Sequence, residues 1–258
     1  MTALPGITIA DSSTSSDLNH GHYDTPVASQ PGPKINGEAT TITLFSPAQL
    51  AQSNFLSSLQ TVANDAFRGG HASAKVLPAN VDRIVSKQYL LDEVGRAPGT
   101  FTYIIHHTDN DTEVIATATM WRFANKPVLE VVGATPSQLE TARRNATFHR
   151  HDPLPPGIEG WELKLMCVNP NAQKQGLASI LLDLCEGEML RRVTGRDQDR
   201  SVNEIRFVLT TIHEINGKFY AKRGFIIDSQ VYHPVGTMDS ATGFTVSHMS
   251  KVMNTDTL

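Results

Sequence analysis

At one junction in the chain, the residue types and their order indicate chemistry. The apolar run LKLMCV (163–168) passes through NPNA into Gln173-Lys174-Gln175-Gly176-Leu177-Ala178, and the apolar-rich stretch ILLDLCEGEML follows. The first N–H groups of a helix have no intrahelical partner, and the helix dipole adds partial positive charge there. A glycine in that turn allows a ligand to approach the backbone closely. The combination is an anion site suited to a pyrophosphate. It lacks the Gly-Lys-Ser/Thr ending of a nucleotide P-loop, and Gly176 alone supplies too few glycines for a dinucleotide fingerprint.

The hexapeptide resembles the central motif of the GNAT acetyltransferases, Gln/Arg-x-x-Gly-x-Gly/Ala after a strand. A second block of that family, Tyr-x-Lys-x-Gly-Phe, is matched by YAKRGF at 220–225, about 45 residues downstream. Glu162, six residues before Val168, stands where histone-modifying members carry a catalytic carboxylate. The motifs cover roughly 161–228, and the order of strands and helices extends the resemblance to roughly 40–252.

The resemblance implies an α/β GNAT fold, with a mixed sheet of about seven strands splayed at the cofactor site and flanked by helices. It also implies acetyl-CoA, or another acyl-CoA, as co-substrate. Backbone around Gln173, Lys174, Gln175, Gly176, Leu177, Ala178 and Ser179 would hold the pyrophosphate. The edge of the strand at Met166, Cys167 and Val168 would pair with the pantetheine arm. Many members carry a CoA-supporting asparagine seven residues before the tyrosine. Here that position is His213, and Asn216 is the substitute.

Acyl transfer to an amine raises two proton problems. An alkylammonium has a pKa of about 10.4, so roughly 1 in 2,500 molecules is nucleophilic at pH 7. Glu162 is the candidate base. Strict alternation would place Glu162, Lys164, Met166 and Val168 on a cleft-facing side, and Leu163, Leu165 and Cys167 against a helix. The departing thiolate needs a proton, and Tyr220 matches the family's donor position. The activity implied is transfer of an acetyl group to the primary amine of a small molecule by direct attack in a ternary complex. The rivals are other acyl-CoA chemistry, protein or histone lysine acetylation, and a non-catalytic CoA-binding module.

Whole-chain composition agrees with this. A net charge of −4 gives no pull towards nucleic acid or an anionic membrane, and 40% apolar residues can build a core. Cys167 and Cys185 both lie in apolar stretches and read as reduced, buried thiols. No apolar run is long enough for a bilayer span, and the opening residues lack a basic signal region. The expectation is a cytoplasmic monomer or homodimer. No Cys/His spacing predicts a metal site. HGH (20–22) reads as solvated tail, and HRH (149–151) could share a metal or contact substrate.

The elements that must position these groups follow from pattern. Residues 1–39, rich in Ser, Thr, Gly and Pro, read as a disordered tail, and 40–258 as a single domain. TTITLF (40–45) reads as a strand. Ser46 and Pro47 open a helix that Gly69 and Gly70 should end, and 80–94 is a second helix. Strands 101–107 and 113–123 form a hairpin, and 124–160 is a long insertion holding a short helix, SQLETARRNA. After it come a strand (161–168), a helix (175–193), a strand (202–212), a short helix and two final strands.

Overall fold

A computed structural model describes residues 28–74, 76, 82–95, 99–123, 154–195 and 202–255. Its eight strands form one sheet: β1 (Ala28–Pro31), β2 (Thr40–Phe45), β3 (Phe101–His107), β4 (Val114–Phe123), β5 (Ile158–Val168), β6 (Glu204–Ile212), β7 (Ile226–His233) and β8 (Phe244–Asn254). Their spatial order is β1-β2-β3-β4-β5-β6-β8-β7. Only β5 and β6 run parallel; the other neighbours are antiparallel. The helices are α1 (Pro47–Ala51), α2 (Leu56–Ala74), α3 (Lys87–Val94), α4 (Leu177–Thr194) and α5 (Lys218–Lys222). This is a mixed α/β architecture, a sheet flanked by helices, with one strand more than expected. Among the described residues no helix is long and apolar enough to cross a membrane.

Both faces of the sheet are covered, so its central strands are buried nearly throughout. On one face Phe101, Tyr103 and Ile105 of β3 pack with Leu177, Leu181, Cys185 and Met189 of α4. On the other, Ile104 packs with Leu50, Leu59, Val62, Leu90 and Val94 of α1–α3. Burying a large apolar side chain contributes about 1.5–3 kcal/mol, so these two layers hold the domain together.

Four sequence expectations need correction. Residues 28–31 are not tail: they form β1, antiparallel to β2, with Ala28 opposite Leu44. Ladder hydrogen bonds hold them there, because all four residues are exposed and offer no apolar pattern to read. Residues 1–27 lie outside the described residues. The first predicted helix is two helices, interrupted where Phe55 turns into the core against Phe45, at 5.8 Å.

Gly69 and Gly70 do not end α2, which continues to Ala74. The helix instead runs past two loops there, at distances that would leave a Cβ in ordinary contact. A Cβ on Gly69 would lie 3.8 Å from Pro170, and one on Gly70 3.6 Å from Ile215. The second predicted helix starts at Lys87, not residue 80, with Ser86 accepting the Tyr89 N–H. Just upstream, buried Asn64 accepts the Ile84 N–H at 2.8 Å and donates to the Ile84 carbonyl at 3.0 Å, and Gln60 donates to the same carbonyl. Ile84 is thereby satisfied without a helix. The helix proposed in the insertion and the HRH histidines fall outside the described residues, while β5 begins already at Ile158.

Candidate active site

The site is built around a break in the parallel pair. β5 and β6 pair from Ile158↔Glu204 to Leu163↔Leu209, and there the pairing ends. Both strands continue: β5 to Val168 along β4, and β6 to Ile212 along β8. Among the described residues, 164–168 and 210–212 are therefore paired on their outer edges only, leaving an opening between the strands. Met166, Cys167 and Val168 lie in the unpaired part of β5, along that opening.

A bulge sits where the strands part. Across β4, Met120 pairs with Leu163 and Thr119 with Leu165, so Lys164 is an extra residue. The extra residue reverses the alternation. Trp161, Leu163, Met166 and Val168 share the α4 face, while Leu165 and Cys167 pack on the α1–α3 face. Glu162 pairs across to Trp121 and lies on the α1–α3 face, not beside Met166. The strict period-two expectation is wrong here, since WLLC on odd positions hides the slip.

Glu162 is buried, at 7% exposure, and its Oε1 lies 3.1 Å from the Lys164 ammonium. That ammonium also sits 4.7 Å above the Trp121 ring. Alternation already put Lys164 on the Glu162 side of the strand, whereas Trp121 did not stand out in the sequence.

On the opposite face, Tyr220 of α5 is buried against Phe219 and Phe225, with ring centroids 5.1 and 5.7 Å away. Its hydroxyl donates to Met166 Sδ at 3.8 Å, a weak acceptor on the lip of the opening. Burial raises the phenol well above its ordinary pKa, and the Cys167 and Cys185 thiols add to this. The tyrosine is placed by its motif. Gly224 is left-handed (φ 87), and the Phe225 N–H returns to the Tyr220 carbonyl at 3.1 Å. That closure ends α5 and sends Phe225 back into the core against Phe207.

The turn beyond β5 lies at the far end of the opening. Asn169 accepts the Asn171 N–H and caps a single 3-10 turn, Pro170–Ala172, not α4. Lys174 and Gly176 are both left-handed (φ 63 and 82), and α4 begins with no side-chain cap. A non-glycine residue in that region is uncommon, and at Gly176 any side chain is disfavoured although no atom lies within 4 Å of a Cβ there. Gln173, Lys174 and Gln175 are exposed. The Ser179 and Ile180 N–H groups both bond the Gly176 carbonyl, at 3.0 and 3.1 Å, and the Gln173 N–H bonds the Pro170 carbonyl at 3.5 Å, so Ser179 and Gln173 are already engaged as backbone donors.

Between β6 and α5 the chain makes a π turn, His213–Gly217. A Cβ on Gly217 would come within 2.5 Å of the His213 ring, which itself meets Ser247 Oγ at 3.2 Å. His213 thus packs inward, whereas Asn216 is exposed on the turn. An open helix N-terminus without a side-chain cap could hold an anion such as a pyrophosphate. The unpaired inner edge of β5 fits an amide-bearing arm.

No family model matches the chain, and no curated protein matches it. Solved structures are similar in shape. An acetyltransferase of the GNAT family from Streptococcus pneumoniae has 10% identity and a TM-score of 0.44, covering 82% of this chain and 99% of that one. The ribosomal-protein-S18-alanine N-acetyltransferase from Escherichia coli has 14% identity and a TM-score of 0.44, covering 83% and 93%. Arabidopsis thaliana NAA60 in complex with a bisubstrate analogue has 10% identity and a TM-score of 0.44, covering 87% and 98%.

Proposed function

We propose that this chain is an acyl-CoA-dependent N-acyltransferase that moves an acetyl group to a primary amine of a small molecule by direct attack in a ternary complex. The observation that carries the reading is the opening between β5 and β6, with the Tyr220 hydroxyl on one face of the sheet and the Glu162 carboxylate on the other. A donor thioester reaching through such an opening meets a proton donor on the α4 side, and an amine arriving on the α1–α3 side meets a base.

Acetyl-CoA supplies the activated acyl group. Backbone N–H groups from Lys174 to Ala178 hold its pyrophosphate, and the free edge at Met166–Val168 orients its arm. Asn216 lies on the turn above. Glu162 takes the proton from the attacking amine, directly or through one water. Backbone N–H groups of β5 next to the bulge stabilise the negative oxygen that develops on the carbonyl. Tyr220 hydrogen-bonds to the leaving sulfur. With its phenol raised well above the ordinary value, this bond stabilises the thiolate more than it transfers a proton outright.

The test is release of free thiol from acetyl-CoA in the presence of an amine panel, with product masses measured. An acetylated amine and a Glu162→Gln variant slowed at least about a hundredfold are expected. Silence across amines and acyl-CoAs would count against the reading, and CoA binding with no turnover would leave a binding module in its place.

A further inference from the structure

Lys164, the bulge residue, is mostly shielded: only 17% of its side chain is exposed, although lysine is among the residues least often buried. Two features lie against its ammonium, and a third lies against one of them. The Glu162 carboxylate is 3.1 Å away, and the Trp121 ring face is 4.7 Å away. The same indole packs against Gly95, where a Cβ would stand 3.4 Å from Trp121 Cδ1. Gly95 closes α3, its N–H bonding the Leu91 and Asp92 carbonyls, so the negative end of that helix borders the indole. A carboxylate, an aromatic face and a helix C-terminus each favour a cation.

We infer that this is the ammonium site of the acceptor, and that Lys164 is its resident stand-in. The acceptor class is then the unbranched primary alkylamine, which matches a lysine side chain in shape and charge. The inference rests on the acyltransferase reading above, in which Glu162 is the base. An alkylammonium that displaces Lys164 lies between the indole and Glu162, and its proton passes to the carboxylate, leaving a neutral nucleophile. An arylamine, neutral already, gains nothing from the carboxylate, and an alcohol lacks the charge. Because Lys164 competes for the place, the apparent affinity for the acceptor is lowered by the fraction of time the site is self-occupied.

The experiment compares n-butylamine, n-butanol and aniline on wild type, Lys164→Met and Trp121→Leu, with acetyl-CoA saturating. The KM for n-butylamine should fall about tenfold in Lys164→Met, corresponding to a site self-occupied about nine-tenths of the time, and rise about tenfold in Trp121→Leu. Aniline should respond to neither change. An unchanged or higher KM in Lys164→Met overturns the inference. Should that variant fail to fold, wild type labelled with 15N-lysine decides. The shielded Lys164 ammonium resonance should vanish at saturating n-butylamine and persist in n-butanol; persistence in both overturns the inference. Failure of wild type to bind CoA would instead overturn the acyltransferase reading, a separate measurement.

Discussion

Replacing Tyr220 with phenylalanine separates catalysis from folding more cleanly than any other change at this site. A buried hydroxyl with a good partner contributes about 1 kcal/mol, and its loss leaves that partner unsatisfied. The Tyr220 hydroxyl has Met166 sulfur at 3.8 Å, a long contact to a weak acceptor that is content without a donor. Its ring packing against Phe219 and Phe225 survives in phenylalanine. The stability change should therefore stay within about 0.5 kcal/mol, about 2 °C in Tm for a chain of this size. The rate of acyl transfer should fall about 10²-fold, the lower range for losing a positioned proton donor. Paired thermal melts and thiol-release rates measure both quantities. The pH profile adds a third. Burial raises the phenol well above its usual value, so it stays protonated through pH 9, and wild-type kcat/KM should show no basic limb from it below that. An undiminished rate in Tyr220→Phe, a Tm drop of many degrees, or a tyrosine limb near neutral pH would each refute the reasoning.

Other outcomes follow from the same geometry. Gly176→Ala should cost about 1–2 kcal/mol, because φ is 82 there and alanine resists the left-handed region even in open space; CoA affinity, measured by calorimetry, should fall with it. Glu188, buried on α4, accepts from Arg191 at 2.7 Å and from buried Arg192 at 2.6 Å, so Glu188→Ala should cost about 3–5 kcal/mol by denaturant titration, because it removes the carboxylate that both guanidinium groups bond. Burial raises the Glu188 pKa, but the two arginines outweigh it and hold the carboxyl below its usual value. Its contribution is thus present above about pH 4.5 and is lost as pH falls through the folded-state value. His71 behaves in the reverse chemical sense with the same pH direction. Burial and nearby Arg83 lower it to about 4, so the folded state keeps it neutral while the unfolded state takes up a proton below about 6.5. Stability should decline by up to about 3 kcal/mol between those values, and His71→Phe should flatten the melting temperature across that range.

Local chemistry made much of this protein legible from its residues in order. QKQGLA and YAKRGF act within a few residues of themselves. The left-handed Gly176 opens a helix without a cap, and the left-handed Gly224 closes one so that Phe225 returns to the core. Strand β2 falls where TTITLF placed it, the β3–β4 hairpin lies within a residue of its expected bounds, and the parallel pair follows from strand–helix–strand order. Tertiary structure decided what depends on partners distant in sequence. β1 exists because β2 offers it a ladder, and Ile84 stays out of a helix because Asn64, 20 residues away, bonds both its backbone groups. Gly69 and Gly70 read as a stop, yet α2 runs on through them to Ala74, packed beside Pro170 and Ile215. The bulge at Lys164 is a property of the register with β4, and no pattern within β5 carries it. That register puts Glu162 and Met166, which the Tyr220 hydroxyl touches, on opposite faces of the sheet, because one inserted residue reverses every side chain of the strand beyond it.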